Sequence, residues 1–311
     1  LLVREQGSET GGRGERKMKK FSIVRHWKIF FTLSIVFLLI GYGSMIFRGF
    51  NMGIDFTGGS IMDLSFQKPV TVSQVRQVLD KHNLGNAVIQ LESSDTNVTS
   101  ARGVIIRTAV IPDTERKDVM NDMTRSLGQY QVRRVENVGA TIGGELVQQA
   151  VIAILLSWVL MILYITIRFQ FKFAVAAIIA LMVDVSVTLS WFSLTGMEID
   201  SSFVAALLTV VGYSINGTIV IFDRIRENLK VHRRSETVTD MIDHSIWSTM
   251  TRTCYTTITS LFAVIAIFLF GGATIHNFSF AMLVGFCSGA YTSILLAGPL
   301  WLFLQGKRAG D

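Results

Sequence analysis

The chain has 311 residues, 50% of them hydrophobic and only 17% charged, against about 25% charged in an average soluble domain. That balance excludes a single soluble core, and a mean hydropathy of +0.45 agrees. The net charge of +6 and pI near 9.4 do not indicate nucleic acid, because the Lys and Arg residues collect beside apolar runs, where they face lipid headgroups and orient the chain.

Residues 1–28 read as a flexible, basic, cytoplasmic N-terminus, with Met18 a candidate start followed by Lys19, Lys20, Arg25 and Lys28. The first apolar run, Ile29–Phe47, makes residues 29–47 a transmembrane helix. It is long and lacks a small-residue cleavage site after it, so it reads as a retained helix rather than a signal peptide. Residues 48–145 form an extracytoplasmic α+β domain between the first two helices. Within it, Ser60–Phe66 alternates as a strand, and Thr71 or Ser73 caps a helix to His82. Ala87–Leu91 and Gly103–Thr108 are β-branched strands, Pro112 opens a helix to Leu127, and Tyr130–Val135 closes the set. The order β-α-β-β-α-β is ferredoxin-like. His82 is isolated and reads as a solvated side chain.

Residues 146–304 form a five-helix membrane bundle, from the runs Val147–Ile167, Phe173–Leu194, Phe203–Phe222, Cys254–Phe270 and Phe278–Leu304. Each run crosses a hydrocarbon core of about 30 Å, which takes about 20 residues, and only helices keep their backbone satisfied there. Residues 305–311 are a cytoplasmic tail. Arg168, Lys172, Arg233, Arg234, Lys307 and Arg308 fall on the same side as the N-terminal cluster, whereas Thr195–Ser202 and Gly271–Asn277 carry no Lys or Arg. Six spans with both termini cytoplasmic satisfy the positive-inside rule. Cys254 and Cys287 lie in or beside spans as small core residues, without a disulfide framework.

Two glycine-rich segments join the domain to the membrane, Asn51–Ser60 and Val138–Glu145. Asp55, Gly58, Gly59, Gly143 and Gly144 are expected to form a hinge, with Asp55 also a candidate polar contact at the membrane surface. No Lys-Ser/Thr follows the Gly-Gly pair, so the segment is not a P-loop. Nothing in the sequence indicates a metal site, a cofactor, ATP hydrolysis or covalent catalysis, and the chain is not expected to be an enzyme.

Polar groups inside the spans are the functional leads, because their desolvation is expensive. Asp184 lies near the middle of the third span and is a candidate proton-relay group or a hydrogen-bonded packing residue. In the fourth span Thr209, Gly212, Tyr213, Asn216 and Gly217 lie mainly on one face. Thr209, Gly212 and Tyr213 are expected in close helix packing, with Asn216 bonding between helices. Asp223, Arg224 and Arg226 mark its cytoplasmic exit as surface anchors. Arg252 opens the fifth span, either paired with an acid or snorkelling to headgroups. Ser288, Tyr291, Thr292 and Ser293 add a polar patch to the sixth.

From Met18 to Leu304 the chain resembles the SecD/SecF family of protein-export membrane proteins, of the resistance-nodulation-division superfamily, and its smaller SecF-type members in particular. The resemblance rests on Gly53–Gly59, Val138–Leu146, Arg168-Phe169, Ala180–Asp184, Val211–Asn216 with Val220–Asn228, Thr251-Arg252-Thr253 and Phe270–Gly272. It implies a bacterial inner-membrane subunit that pairs with SecD beside the SecYEG channel and a YidC-type insertase. It also implies use of the proton gradient to move or release unfolded preproteins. The family pattern has an aspartate after Ser214-Ile215-Asn216, associated with proton movement, where this chain has Gly217, and often a histidine where it has Val183. That makes Asp184, Arg252, Asn216 and Gly217 the relay candidates, with Asp184 the acid able to substitute. A non-energised scaffold subunit and a small-molecule efflux transporter are the competing expectations.

Overall fold

The computed structural model describes residues 21–92, 99–231 and 237–306. The basic residues Lys19, Lys20, Arg233, Arg234, Lys307 and Arg308 lie outside the described residues, as do residues 1–20 and most of the 305–311 tail.

Among the described residues, six helices are long and apolar enough to cross a membrane. They are α1 (Trp27–Arg48), α5 (Ala140–Arg168), α6 (Phe171–Thr195), α7 (Ser201–Lys230), α8 (Val238–Phe270) and a last span made of α9 (Ala273–Tyr291), a π-helical turn (Thr292–Ala297) and α10 (Gly298–Leu304). In α6, 61% of the apolar stretch is buried inside the chain, against 6% in α5 and 11% in α1. Helix α6 is therefore the hub, and α5 and α1 turn most of their surface outward.

Helix α8 begins well before the apolar run that starts at Cys254. Thr237 caps it by accepting from the Asp240 amide at 3.1 Å. Its first turns bury Met241, Ile242 and Ile246 in the core while leaving other positions polar, so hydropathy alone does not reveal them. The end of the expected flexible N-terminus is packed against those turns. Ile23 and Val24 are buried in the same core cluster as Ile242, Ile246 and Trp301. The carboxylate of Asp243 accepts from the Val24 amide at 2.9 Å and from the Ser22 hydroxyl, and Trp247 Nε1 donates to the Phe21 carbonyl at 2.9 Å.

Close packing in the bundle depends on glycines of α9. A Cβ on Gly285 would stand 2.2 Å from Val210 of α7, and one on Gly289 would stand 2.9 Å from Ser214. Val210 is β-branched and stiff, so it cannot swing away. Gly285→Val is expected to lower the unfolding free energy by about 1–3 kcal/mol, the usual cost of overpacking. Thermal unfolding of the purified protein in detergent measures it, and an unchanged midpoint would refute the tight approach.

Between α1 and α5 stand strand β1 (Asn51–Met52), the single turn α2 (Ile54–Thr57), and β2 (Gly59–Thr71), α3 (Val72–Asp80), β3 (Val88–Glu92), β4 (Ser100–Thr108), α4 (Asp113–Leu127) and β5 (Tyr130–Val138). The last four strands form one antiparallel sheet in the order β3-β4-β2-β5, the ferredoxin-like arrangement. Alternation along β2 sends Met62, Leu64 and Phe66 into a core with Val75 and Leu79 of α3 and Val119 and Met123 of α4. Ile61 and Asp63 point to the opposite face. Strand β2 runs past the expected Phe66, because a register shift between Ser65 and Val70 accommodates Pro69. Helix α3 starts with a Thr71/Gln74 capping box. His82 is not isolated: its Nε2 lies 2.9 Å from Asp122 Oδ2 of α4 and ties the turn after α3 to that helix.

Strand β1 pairs in parallel with β6 (Glu198–Ile199), the connection between α6 and α7. The elbow after α1 is thus fastened to the head of α7.

Candidate functional site: a buried carboxylate in a hydroxyl cage

Asp184 sits in the middle of α6 with no exposed surface. A lone carboxylate at that depth needs either compensating donors or a proton. Three hydroxyls supply donors. Ser214 of α7 donates to Oδ2 at 2.5 Å. Ser288 of α9 donates to Oδ1 at 2.6 Å. Thr292, first residue of the π-helical turn, lies 3.0 Å from both oxygens. A π-turn shifts the side-chain register of a helix, and here Ser288 and Thr292 both reach the same carboxylate. Among the described residues no cation pairs with it. The cage is therefore neutral except for Asp184, and moving a proton on or off it changes the charge that three helices share.

A second polar locus adjoins the cage. Asn216, Gly217, Arg252, Thr253, Thr256 and Ser293 line a cavity of about 60 Å³ between α7, α8 and the last span. Thr218 and Ser293 share a hydrogen bond of 2.9 Å, and Ser293 reaches the Ser214 carbonyl at 3.3 Å, so cavity and cage meet at Ser214. A Cβ on Gly217 would stand 3.1 Å from Ser293 Oγ. Arg252 lines the cavity, is exposed within this chain, and its guanidinium makes no hydrogen bond or ion pair among the described residues.

The remaining candidates separate. Thr209, Gly212 and Asn216 are exposed. Thr209 bonds only its own helix, at the Ala205 carbonyl 2.8 Å away, and a Cβ on Gly212 would meet nothing within 4 Å. These small residues therefore do not pack against another helix of this chain. The opposite face of α7 does that, by receiving Gly285 and Gly289. Tyr213 stacks on Phe286 of α9 with ring centroids 4.0 Å apart.

Asp223 is exposed. Arg224 pairs with Glu227 at 2.6 Å and bonds Ser248 of α8 at 3.2 Å. Arg226 donates to the Arg168 carbonyl at 3.2 Å and stands 5.5 Å from the Phe169 ring centre. The two arginines thus tie α7 to its neighbours.

At the elbow, Gly58 and Gly59 have φ of +70° and +136°, a region that favours glycine. Asp55 is no free hinge residue, since it accepts from the Ser201 amide at the head of α7 at 2.8 Å. Gly143 is packed, with its missing Cβ 2.9 Å from the Phe56 carbonyl, whereas Gly144 is open.

Ser214 was missed as a site residue. In the sequence it is one hydroxyl among many in the spans, and such hydroxyls commonly bond their own helix. Only the α6–α7 crossing turns it onto Asp184.

Residues 119–307 match the model of the protein-export membrane protein SecD/SecF C-terminal region, and residues 43–70 match the SecD/SecF GG motif, which contains Gly58 and Gly59. The protein translocase subunit SecF of Acidaminococcus fermentans is 67% identical over 93% of this chain and 99% of that protein. The crystal structure of SecDF from Thermus thermophilus, titled a translocon-associated membrane protein, superposes with a TM-score of 0.83 at 32% identity. A SecDF structure in a super-membrane-facing form superposes with 0.66, also at 32% identity. In each case the match covers 92% of this chain but spans only 39% of the SecDF chain. Six apolar spans and these matches make this a multi-pass inner-membrane protein. The chain belongs to the SecD/SecF family of protein-export membrane proteins.

Proposed function

We propose that this chain is the SecF-type subunit of a bacterial export complex, with both termini in the cytoplasm. In this reading it pairs with a SecD-type partner beside a SecYEG-type channel and a YidC-type insertase. The complex uses the proton gradient to promote movement or release of unfolded preproteins on the outer side. No catalytic step is involved.

The observation that carries the reading is the unpartnered polar face of α7 and α8. Thr209, Gly212, Asn216 and Arg252 lie exposed on spans that cross a membrane. A guanidinium and an amide turned to acyl chains are costly, whereas small residues on such a face let a second bundle approach closely. In transporters built from paired halves, the functional groups lie between the halves. A partner bundle seated there encloses Arg252 and brings its own polar groups to it.

The test is site-directed cross-linking in cells that co-express the SecD-type partner. Cysteine at Asn216 or Thr209 is expected to form a cross-linked product with the partner, while cysteine at Leu39, exposed on α1, which packs on α6, forms none. Cross-linking at Leu39 without any at Asn216 would refute the assignment of the face.

Gly217 favours one second reading, a non-energised scaffold, because glycine has no proton to exchange. It predicts equal export with and without a proton gradient in vesicles that still require this chain. Asp184 favours the energised reading, since it keeps a protonatable group one helix crossing away from Gly217.

A further inference from the structure

The ferredoxin-like domain hangs over the membrane bundle by adjacent strand ends. Gly59, the first residue of β2, pairs with Val138, the last of β5. Both links to the membrane therefore leave the sheet at one place, through Gly58-Gly59 and through Gly139. No side chain crowds Gly139 within 4 Å of an added Cβ. Beyond that place the helix-free face of the sheet faces the bundle across open space. A cleft of about 650 Å³ separates them. Its roof includes Ile61, Asp63, Arg107 and Arg133, and its floor is the α6–α7 connection and the start of α9. The roof is shielded: Ile61 is 2% exposed, and burial pushes the Asp63 carboxyl above the usual carboxylate range, with Arg133 working against it.

One ion pair crosses this cleft among the described residues. Arg107 Nη2 of β4 meets Glu198 Oε2 of β6 at 2.5 Å, with the side chains 15% and 11% exposed. Arg107 stands opposite Ile61 in the β2–β4 register, close to the glycine links. Glu198 is two residues from Asp200, which caps α7 by accepting from the Phe203 amide at 2.9 Å and takes Asn277 of α9 at 3.3 Å. The pair therefore joins the domain to the head of the helix that carries Ser214.

We propose that Arg107 and Glu198 form a latch that holds the domain down on the bundle and that opens by tilting about Gly58-Gly59 and Gly139. A charge-assisted bond between two largely desolvated groups holds the closed state. Against it stands the Arg107 Nε, buried with no partner, which costs the closed state part of that gain.

The proposal does not depend on the export reading, because it is read by chemical labelling. The intact chain, in membrane vesicles and with Cys254 and Cys287 replaced by Ala, carries a single Ile61→Cys. A bulky membrane-impermeant maleimide is added on the domain side. R107Q and E198Q are each expected to raise the Ile61→Cys labelling rate about tenfold, as loss of a hydrogen bond to a charged group implies. The swapped pair R107E/E198R restores slow labelling. A parallel Val104→Cys, buried beneath α3 and α4, stays unlabelled in every variant and shows that the domain is still folded. Labelling of Ile61→Cys at the parental rate in R107Q and E198Q, failure of the swapped pair to slow it, or labelling of Val104→Cys alongside it would each overturn the latch.

Discussion

Asp184→Asn is expected to remove the proton-dependent part of export while leaving the protein folded, whereas Asp184→Ala is expected to damage the fold itself. The cage explains the split. Alanine removes the acceptor for Ser214, Ser288 and Thr292 together. Each buried hydrogen bond contributes about 1 kcal/mol net, so the three sum to about 3 kcal/mol, and the lost volume adds to it. Asparagine keeps one carbonyl oxygen, and a hydroxyl can turn to accept from the amide, so its cost is about 1 kcal/mol.

What asparagine cannot do is carry the proton. A gradient supplies about 1.36 kcal/mol per pH unit and about 2.3 kcal/mol per charge for each 100 mV, and a group without a titrating proton couples to neither. Export into inverted vesicles, with and without a collapsed gradient, measures the first effect, and thermal unfolding in detergent measures the second. Full proton-dependent stimulation in D184N would show that Asp184 is a packing residue.

Gly217→Asp is the complementary experiment and is expected to increase proton-dependent export by about tenfold, the return for about 1.4 kcal/mol of added coupling. There is room for it. An added Cβ meets only Ser293, at 3.1 Å to its hydroxyl and 3.6 Å to its Cβ, and that hydroxyl can rotate away. The new carboxylate enters the cavity that Arg252 lines, where an opposite charge favours its ionised form. Gly217→Asn has nearly the same shape and no proton, so it is expected to leave export unchanged. Equal behaviour of G217D and G217N in reconstituted vesicles would mean that position 217 has no coupling role.

Much of the architecture was legible before any coordinates, for a simple reason. Runs such as Ile29–Phe47 and Phe173–Leu194 are dictated by the thickness of the hydrocarbon core, and strand alternation and capping in the domain are local properties. Where locality failed, so did the reading. Val238–Thr253 is half polar and hid the start of α8. His82 found Asp122 across forty residues, and Ser22 to Val24 found Asp243 across more than two hundred. Thr209 and Gly212 carry the composition of a packed face, yet within this chain the packed face of α7 is the opposite one.

The sequence by itself determined that six apolar segments span a membrane, that a small α+β domain interrupts them after the first, and that Asp184 is a carboxyl group at membrane depth. Each follows from periodicity and desolvation, which act on neighbours along the chain. Only the tertiary structure decided what surrounds that carboxyl group and what holds the domain. Ser214, Ser288 and Thr292 come from two further helices, and Glu198 meets Arg107 across ninety-one residues. Such partners are chosen by how helices cross and strands register, and spacing along one chain does not encode that choice.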